Sequence, residues 1–294
     1  MNIDFLEKKF KIKRLLQKLL IILMVVLPIL IITLFFVYQK NTNFLYCIYG
    51  IIAFMIIIAI FYVIYDKYFL NIFSKYCVDT YLVHEFENFK LNNHRKYDNN
   101  DVLEILSLNK IGHFSSNYKR IVKQRNHIIG TFNNINFQQN DLFVENSKEE
   151  YHFDEFMGKR LFDGILTEID FSLGDFSMLI TPKEYDNVQK PFTLITTSDV
   201  DFNNKFDLMC DEPEKINEYF TKKHLELFNT LISKYLNKDF FILIYDNKIY
   251  IGQDKKKSFE INIKKELNDK EIIDNLSKNI LYIKDIIKYL KENF

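Results

Sequence analysis

Glycine is scarce in this chain. Seven glycines occur among 294 residues, and neither GxGxxG nor GxxxxGK followed by Ser or Thr can be found. Their absence excludes the backbone cradles that hold nucleotide and dinucleotide phosphates. GxSxG is missing too, so there is no serine elbow of the hydrolase type. Cysteine is rarer still: Cys47, Cys77 and Cys210 stand apart with no CxxC, and an odd, scattered set argues against a disulfide framework. The histidines His84, His94, His113, His127, His152 and His224 never approach HExxH or another metal-ligand spacing. Tryptophan is absent, and 29 Phe and 18 Tyr supply the aromatic area for a core.

The most telling absence is of charge. Residues 19–38 and 44–65 contain no Asp, Glu, Lys, Arg or His. Each run is about as long as the roughly 20 residues a helix needs to cross a bilayer. A buried helix of a globular core usually keeps a polar face, and these runs have none. The first run is too long for a signal peptide and no small-residue cleavage site follows it. Its Pro28 is a possible kink, and no GxxxG pairing motif occurs. With no ionisable group inside them, the spans read as an anchor rather than a transport pathway.

Lys8, Lys9, Lys11, Lys13, Arg14 and Lys18 precede the first run, whereas the link 39–43 carries only Lys40. The positive-inside rule then predicts a cytoplasmic N-terminus, and two spans return the chain to the same side. The whole chain balances 39 basic and 39 acidic residues, but residues 1–65 hold seven basic and two acidic, leaving a net charge of −5 on the remainder. A mildly acidic domain lacks the electrostatic footprint of a nucleic-acid binder.

Beyond the spans, Phe69, Ile72, Phe73, Tyr76, Val83 and Phe86 recur at helical spacing, which predicts a helix through about Phe89. Another helix is expected from Asp101, with Glu104 three residues on. From about Asn126 the pattern becomes strand-like. Strands are predicted around 128–137, 142–144, 151–157, 161–171, 175–181, 192–197 and 205–210, with Asn-rich turns. Pro213 marks a helix start, and Leu225, Phe228, Leu231, Ile232 and Tyr235 form one apolar helix face. Asp246-Asn247 predicts a hairpin between 240–245 and 248–251. In the last helix, Ile273, Leu276, Ile280, Ile283, Ile287 and Leu290 make a coiled-coil-like stripe. Ile272, Leu281, Tyr282 and Ile286 widen it into the face of a docked helix. The expected fold is an α+β cytoplasmic domain, an antiparallel sheet with flanking helices, on an N-terminal two-helix transmembrane hairpin. Its parts are a basic cytoplasmic segment 1–18, the hairpin 19–65, a helical neck 66–125 and the α+β domain 126–294.

Few residues invite chemistry. Asp199 and Asp201 form a DxD pair of hard oxygen ligands, a candidate metal site, and Asn203 extends the pattern toward a calcium loop. That loop fails at Asn204, where glycine is required, and at Cys210, where glutamate is required. Glu168 and Asp170 would share one strand face, suiting acid–base work or simply the wet face of a sheet. Lys255-Lys256-Lys257 could meet phosphate or lipid, or form a solvated turn. No catalytic residue and no cofactor is expected.

Ile128-Ile129-Gly130 followed by Phe137, and Phe156-Met157-Gly158 followed by Leu161-Phe162, form a pattern with Phe206, Leu225, Phe228, the hairpin 240–251 and Phe259-Glu260. In these features the chain resembles a bacterial two-span membrane family classed as domain of unknown function 3137. The resemblance implies two N-terminal spans, a helical neck and a strand-rich cytoplasmic domain in the bacterial inner membrane, and it implies no activity. The sequence thus favours a membrane-anchored interaction module with a protein partner and no nucleic acid, and its C-terminal helix offers a route to a homo-oligomer. The alternatives are a membrane-associated metal-dependent hydrolase or transferase using Asp199, Asp201 or Glu168 and Asp170, and an accessory subunit of a membrane complex.

Overall fold

Two helices at the start of the chain are far longer than a globular core needs. The structure, a computed structural model, describes residues 3–38, 43–92, 97–108, 119–147, 160–183, 192–236, 238–261 and 267–294. The chain divides into two compact units, Met1–Asp79 with Ile261–Ile273, and Thr80–Glu260 with Asp274–Phe294.

In the first unit, α1 (Ile3–Tyr38) and α2 (Asn43–Cys77) are 36 and 35 residues long. At 1.5 Å per residue each exceeds roughly 50 Å, against about 30 Å for a bilayer core. Both are long and apolar enough to cross a membrane, and only 6% and 0% of their most apolar windows is buried in the protein. Ile22, Val25, Ile29, Phe54, Ile57 and Ile64 are all more than half exposed. α1 runs on through Pro28 as one helix. The Thr33 hydroxyl donates to the Ile29 carbonyl at 2.8 Å, so this polar group needs no water.

Away from the apolar windows the two helices grip each other with polar and aromatic contacts. Lys13 Nζ meets Asp66 Oδ1 at 2.6 Å, and the Tyr65 hydroxyl donates to the Lys9 carbonyl at 3.1 Å. Phe10 stacks on Phe69 with ring centroids 5.7 Å apart. The basic segment before the first run is therefore helical and packed.

Among the described residues the second unit has nine strands: β1 (Glu87–Leu91), β2 (Lys119–Phe132), β3 (Ile135–Ser147), β4 (Arg160–Ile169), β5 (Met178–Pro182), β6 (Thr193–Ile195), β7 (Phe206–Cys210), β8 (Phe240–Tyr245) and β9 (Lys248–Asp254). They form one sheet in the order β1-β2-β3-β4-β9-β8-β5-β7-β6, and every pairing is antiparallel. On one face α3 (Asn99–Leu108) buries Val102, Ile105 and Leu106 against Leu142, Val144, Leu166, Leu243 and Tyr250. Ile242, Ile249 and Ile251 alternate with the last two and point to the opposite face. There α6 (Lys222–Tyr235) and α8 (Tyr282–Asn293) cover them through Phe228, Ile232, Ile286 and Leu290. Short helices α4 (Val200–Lys205) and α5 (Pro213–Tyr219) flank β7. α7 (Asp269–Leu276) leads through a π-helical turn, Ser277–Leu281, into α8.

Several expected elements differ in the structure. The helix predicted through Phe89 ends at Cys77, passes through a π-helical turn at Val78–Leu82, and gives way to β1. Phe86 and Phe89 fit a helical spacing, but Asn88 has a φ of 52° and breaks it. β2 begins at Lys119, earlier than the change of period at Asn126, because Asn126 itself (φ 51°) forms a bulge in a longer strand. The Asp246-Asn247 hairpin is present, with φ of 51° and 58° at the two turn residues. Ile280, Ile283, Ile287 and Leu290 of the C-terminal stripe are buried within the single chain, as a docked helix requires. The strand expected at 151–157, the Phe156-Met157-Gly158 motif, Lys40, His94, His113 and His152 lie outside the described residues.

Candidate functional site

Strand alternation places Gln139 and Asp141 of β3 on the face away from α3, beside Thr167 of β4, which pairs directly with Gln139. All three are buried. Past β9 the chain turns at Lys255 (φ 61°) and brings Ser258 back onto the same face. The Ser258 amide and hydroxyl both donate to Asp141 Oδ1, at 2.8 and 2.6 Å, and Asn126 Nδ2 donates to Asp141 Oδ2 at 2.7 Å. Gln139 Nε2 donates to Ser258 Oγ at 2.8 Å and to the Asn279 carbonyl, in the π-helical turn, at 3.1 Å.

The donor directions follow from counting protons. Thr167 Oγ1 gives its single proton to Gln139 Oε1 at 2.9 Å, so the 2.8 Å contact with the Tyr282 hydroxyl has Tyr282 as donor. A one-way chain results: Tyr282 to Thr167, to Gln139, to Ser258, to Asp141. Burial pushes the Asp141 carboxyl above its ordinary range, against the opposing hydrogen bonds of Ser258 and Asn126 and the charge of Lys257. Tyr282 is also raised, to about 12, chiefly by burial. Such a network fixes the C-terminal helices to the sheet in one register. Among the described residues no histidine is hydrogen-bonded to Ser258, whose partners are Asp141 and Gln139.

The opposite face carries a second polar cluster. Glu168 is 5% exposed and pairs with Lys248 Nζ at 2.8 Å. Burial, followed by the charge of Glu168, holds Tyr97 well above its ordinary range, and the same two causes raise Tyr250. For Lys248, burial pulls downward, but the hydrogen bond and charge of Glu168, with Asp170 and Asp246, more than offset it and raise the ammonium. Glu168 thus lies in the core, and Asp170, just past β4, is exposed. The charges of both carboxylates reach Tyr97, Lys248 and Tyr250.

Asp199 and Asp201 also separate. Asp199 is buried and caps α4, its Oδ1 accepting from the Phe202 amide at 3.1 Å, while Asp201 is exposed in the first turn. Asn203 Oδ1 accepts from the Thr197 amide at 3.0 Å and its Nδ2 donates to the Thr197 carbonyl at 2.7 Å. Among the described residues no group of three or more His, Cys, Asp or Glu could hold a metal ion. A small apolar cavity under α6 and α8, lined by Phe228, Ile232, Ile242 and Leu290, has room for about one water molecule.

The three consecutive lysines are each engaged within the protein. Lys255 pairs with Asp239 at 2.7 Å, Lys257 pairs with Asp163, and Lys256 Nζ donates to the Tyr235 carbonyl at 2.8 Å. Burial lowers Lys256 to about 8. Its amine is therefore expected to react with acetic anhydride with a pH midpoint near 8, read by mass spectrometry; a midpoint in the ordinary lysine range would refute this placement. Cys77 and Cys210 are buried thiols, and burial raises Cys210 to about 11. They lack the electropositive surroundings of a reactive cysteine.

Sequence reasoning missed the chain from Tyr282 to Asp141. Its only sequence signal is the flanking of Gln139 and Asp141 by Phe137 and Phe143 at every second position, and of Thr167 by Ile165 and Ile169. Comparisons with protein-family models, with curated proteins and with solved structures gave no match to the chain.

Proposed function

We propose that this chain is a membrane-anchored interaction module, with α1 and α2 as its anchor and the sheet unit presented to the cytoplasm to bind a protein partner. The observation that carries the reading is the outward display of large apolar side chains along the middle of both helices. A water-filled surround would leave far more contiguous apolar surface than soluble monomers tolerate. The cytoplasmic orientation of both termini rests on the six basic residues before the first run. The bacterial inner membrane and the family likeness rest on the sequence motifs alone. A tether of this kind raises the effective concentration of a domain for partners in the same membrane. Internal engagement of Asp199, Glu168 and the three lysines favours binding over catalysis.

Affinity purification of the full chain from native membranes in mild detergent tests the reading, together with fluorescent-protein and alkaline-phosphatase fusions at the C-terminus. The expected result is a protein partner in near-equal amount, a fluorescent fusion and an inactive phosphatase fusion. Recovery of the chain in the soluble fraction, or an active phosphatase fusion, would remove the anchor or its orientation. A partnerless protein with turnover would replace the module by an enzyme.

A further inference from the structure

The sheet has two outer strands, β1 and β6, and they are not alike. Unpaired amides and carbonyls on an edge recruit other strands, and proteins blunt such edges with charge, proline or a bulge. β1 carries Glu87 and Lys90, and an irregularity between them holds Asn88 at a φ of 52°. Where β2 runs on past β1 it carries Lys119, Arg120, Lys123 and Arg125, and the Gln124 side chain bonds the backbone of Tyr97. β6 has none of these devices. From Phe192 to Ser198 there is neither charge nor proline. Its ladder is with β7, and among the described residues no further backbone hydrogen bond reaches 193–196. With a single antiparallel neighbour, every second residue turns its amide and carbonyl outward, so this edge presents them to solvent.

The edge is also apolar. Phe192 and Leu194 are two residues apart and share one face. Phe192 is buried in one core with Leu179 and Met209, whereas Leu194, paired with Met209, is 52% exposed. That core runs out to Leu194 and ends there in the open.

Both ends of β6 are flanked by carboxylates. At one end Asp211 follows Cys210, the partner of Thr193, and Glu212 and Glu214 stand at the start of α5. At the other end Asp207 precedes Leu208, the partner of Ile195, and Asp201 is exposed on α4, which Asn203 ties to Thr197. The nearby lysines are turned elsewhere: Lys183 donates to the Asn203 carbonyl and Lys205 to Asn229. A second copy pairing antiparallel on β6 would set Asp201 and Asp207 of one chain against Asp211 and Glu214 of the other. Like charges so placed repel, and they favour an occupant with basic ends.

We propose that β6 is a docking edge on which an extended segment of a protein partner, apolar at alternate positions and flanked by Lys or Arg, adds as a further strand. Main-chain hydrogen bonds would hold the segment, an apolar side chain would cover Leu194, and the flanking cations would meet the carboxylates at either end. The inference deepens the interaction-module reading and rests on it.

The test titrates the full chain in mild detergent with the peptide KKTVTWTKK. The chain contains no tryptophan, so the indole of the peptide is read alone. The expected dissociation constant is on the order of 10–100 μM, the weak range of a short pairing. EETVTWTEE should bind at least about tenfold more weakly, and Leu194→Ser should weaken the basic peptide about tenfold with the melting temperature unchanged. N-methylation of one alternate set of peptide amides should abolish binding and of the other set should spare it. Equal binding of the basic and acidic peptides, equal effects of the two methylation patterns, or no binding would each overturn the docking edge. A dimer of the full chain that Leu194→Ser dissolves would give β6 to a second copy and overturn it too. In purifications from native membranes, a partner retained in equal amount by Leu194→Ser would overturn this inference alone, whereas no partner with the wild type would overturn the module reading beneath it.

Discussion

Gly164→Ala is expected to lower the melting temperature of the full chain in detergent by about 10 °C or more, followed by loss of the strand signal in circular dichroism. Gly164 lies in β4, between Leu142 of β3 and Asp254 of β9. A Cβ at this position would stand 2.0 Å from the Gln253 carbonyl oxygen and 2.8 Å from the Asp254 Cα. Both atoms are backbone, held by the ladder, and neither can turn aside as a side chain does. The strands must part locally. A clash of this kind belongs with the largest single-residue effects, above about 4 kcal/mol, and each kcal/mol moves the midpoint of a domain this size by roughly 2–4 °C. Gly50→Ala is the matched control: nothing lies within 4 Å of its added methyl, and the melting temperature should not move. Equal melting of the two variants would show that β4 and β9 do not approach as described.

Asp141→Ala and Asp141→Asn are expected to diverge. Alanine leaves the Ser258 amide, the Ser258 hydroxyl and Asn126 Nδ2 without their common acceptor in a buried site. At about 1–3 kcal/mol for an unsatisfied buried group, a loss of roughly 3–5 kcal/mol follows. Asparagine keeps an oxygen for Ser258 and removes a buried negative charge, so its cost at neutral pH should be within about 1 kcal/mol. The pH dependence separates them further. Because the folded carboxyl is raised above its ordinary value, the folded state holds the proton more tightly than the unfolded state. This contribution is complete below the unfolded value and is lost as the pH rises through the folded one. Wild type should therefore gain on Asp141→Asn as the pH falls across that window, in thermal melts at matched ionic strength. A constant difference across the window would mean that Asp141 is not buried as a carboxylate.

Legibility in the sequence followed the physics of each element. The long helices were readable because no charged side chain interrupts 19–38 or 44–65. The β8–β9 hairpin was readable because Asp246-Asn247 tolerates positive φ between two apolar runs. The docked C-terminal helix was readable in the breadth of its stripe, which exceeds a coiled-coil seam. β1 was hidden because Phe86 and Phe89, three residues apart, fit a helical spacing, and the deciding residue, Asn88, is a conformational signal rather than an apolar one. The polar chain was hidden for a different reason. Gln139, Asp141, Thr167 and Glu168 look like a wet strand face, and only partners more than a hundred residues away for some of them make the buried position tolerable: Ser258 for Asp141, Asn279 for Gln139 and Tyr282 for Thr167. Asp199 reads as half of a metal pair, and its role as the cap of α4 was not legible beside that.

The strand order also sets a sequence of events in folding. β4 and β9 meet at the centre of the sheet, with β1 to β4 on one side and β8, β5, β7 and β6 on the other. Until β9 arrives, the first four strands can pair only among themselves, and β5 with β7 and β6 form a separate patch that meets no earlier strand. The β8–β9 hairpin is the keystone that welds two half-sheets into one. Pairings this distant close large loops before any contact rewards them, and folding is correspondingly slow. During that interval β4 and β5 are both open edges, able to recruit strands of another chain. On the proposed anchor reading, first helices fixed in a bilayer before the keystone exists would confine those unfinished edges to a surface, where their nearest neighbours are other molecules anchored in the same membrane.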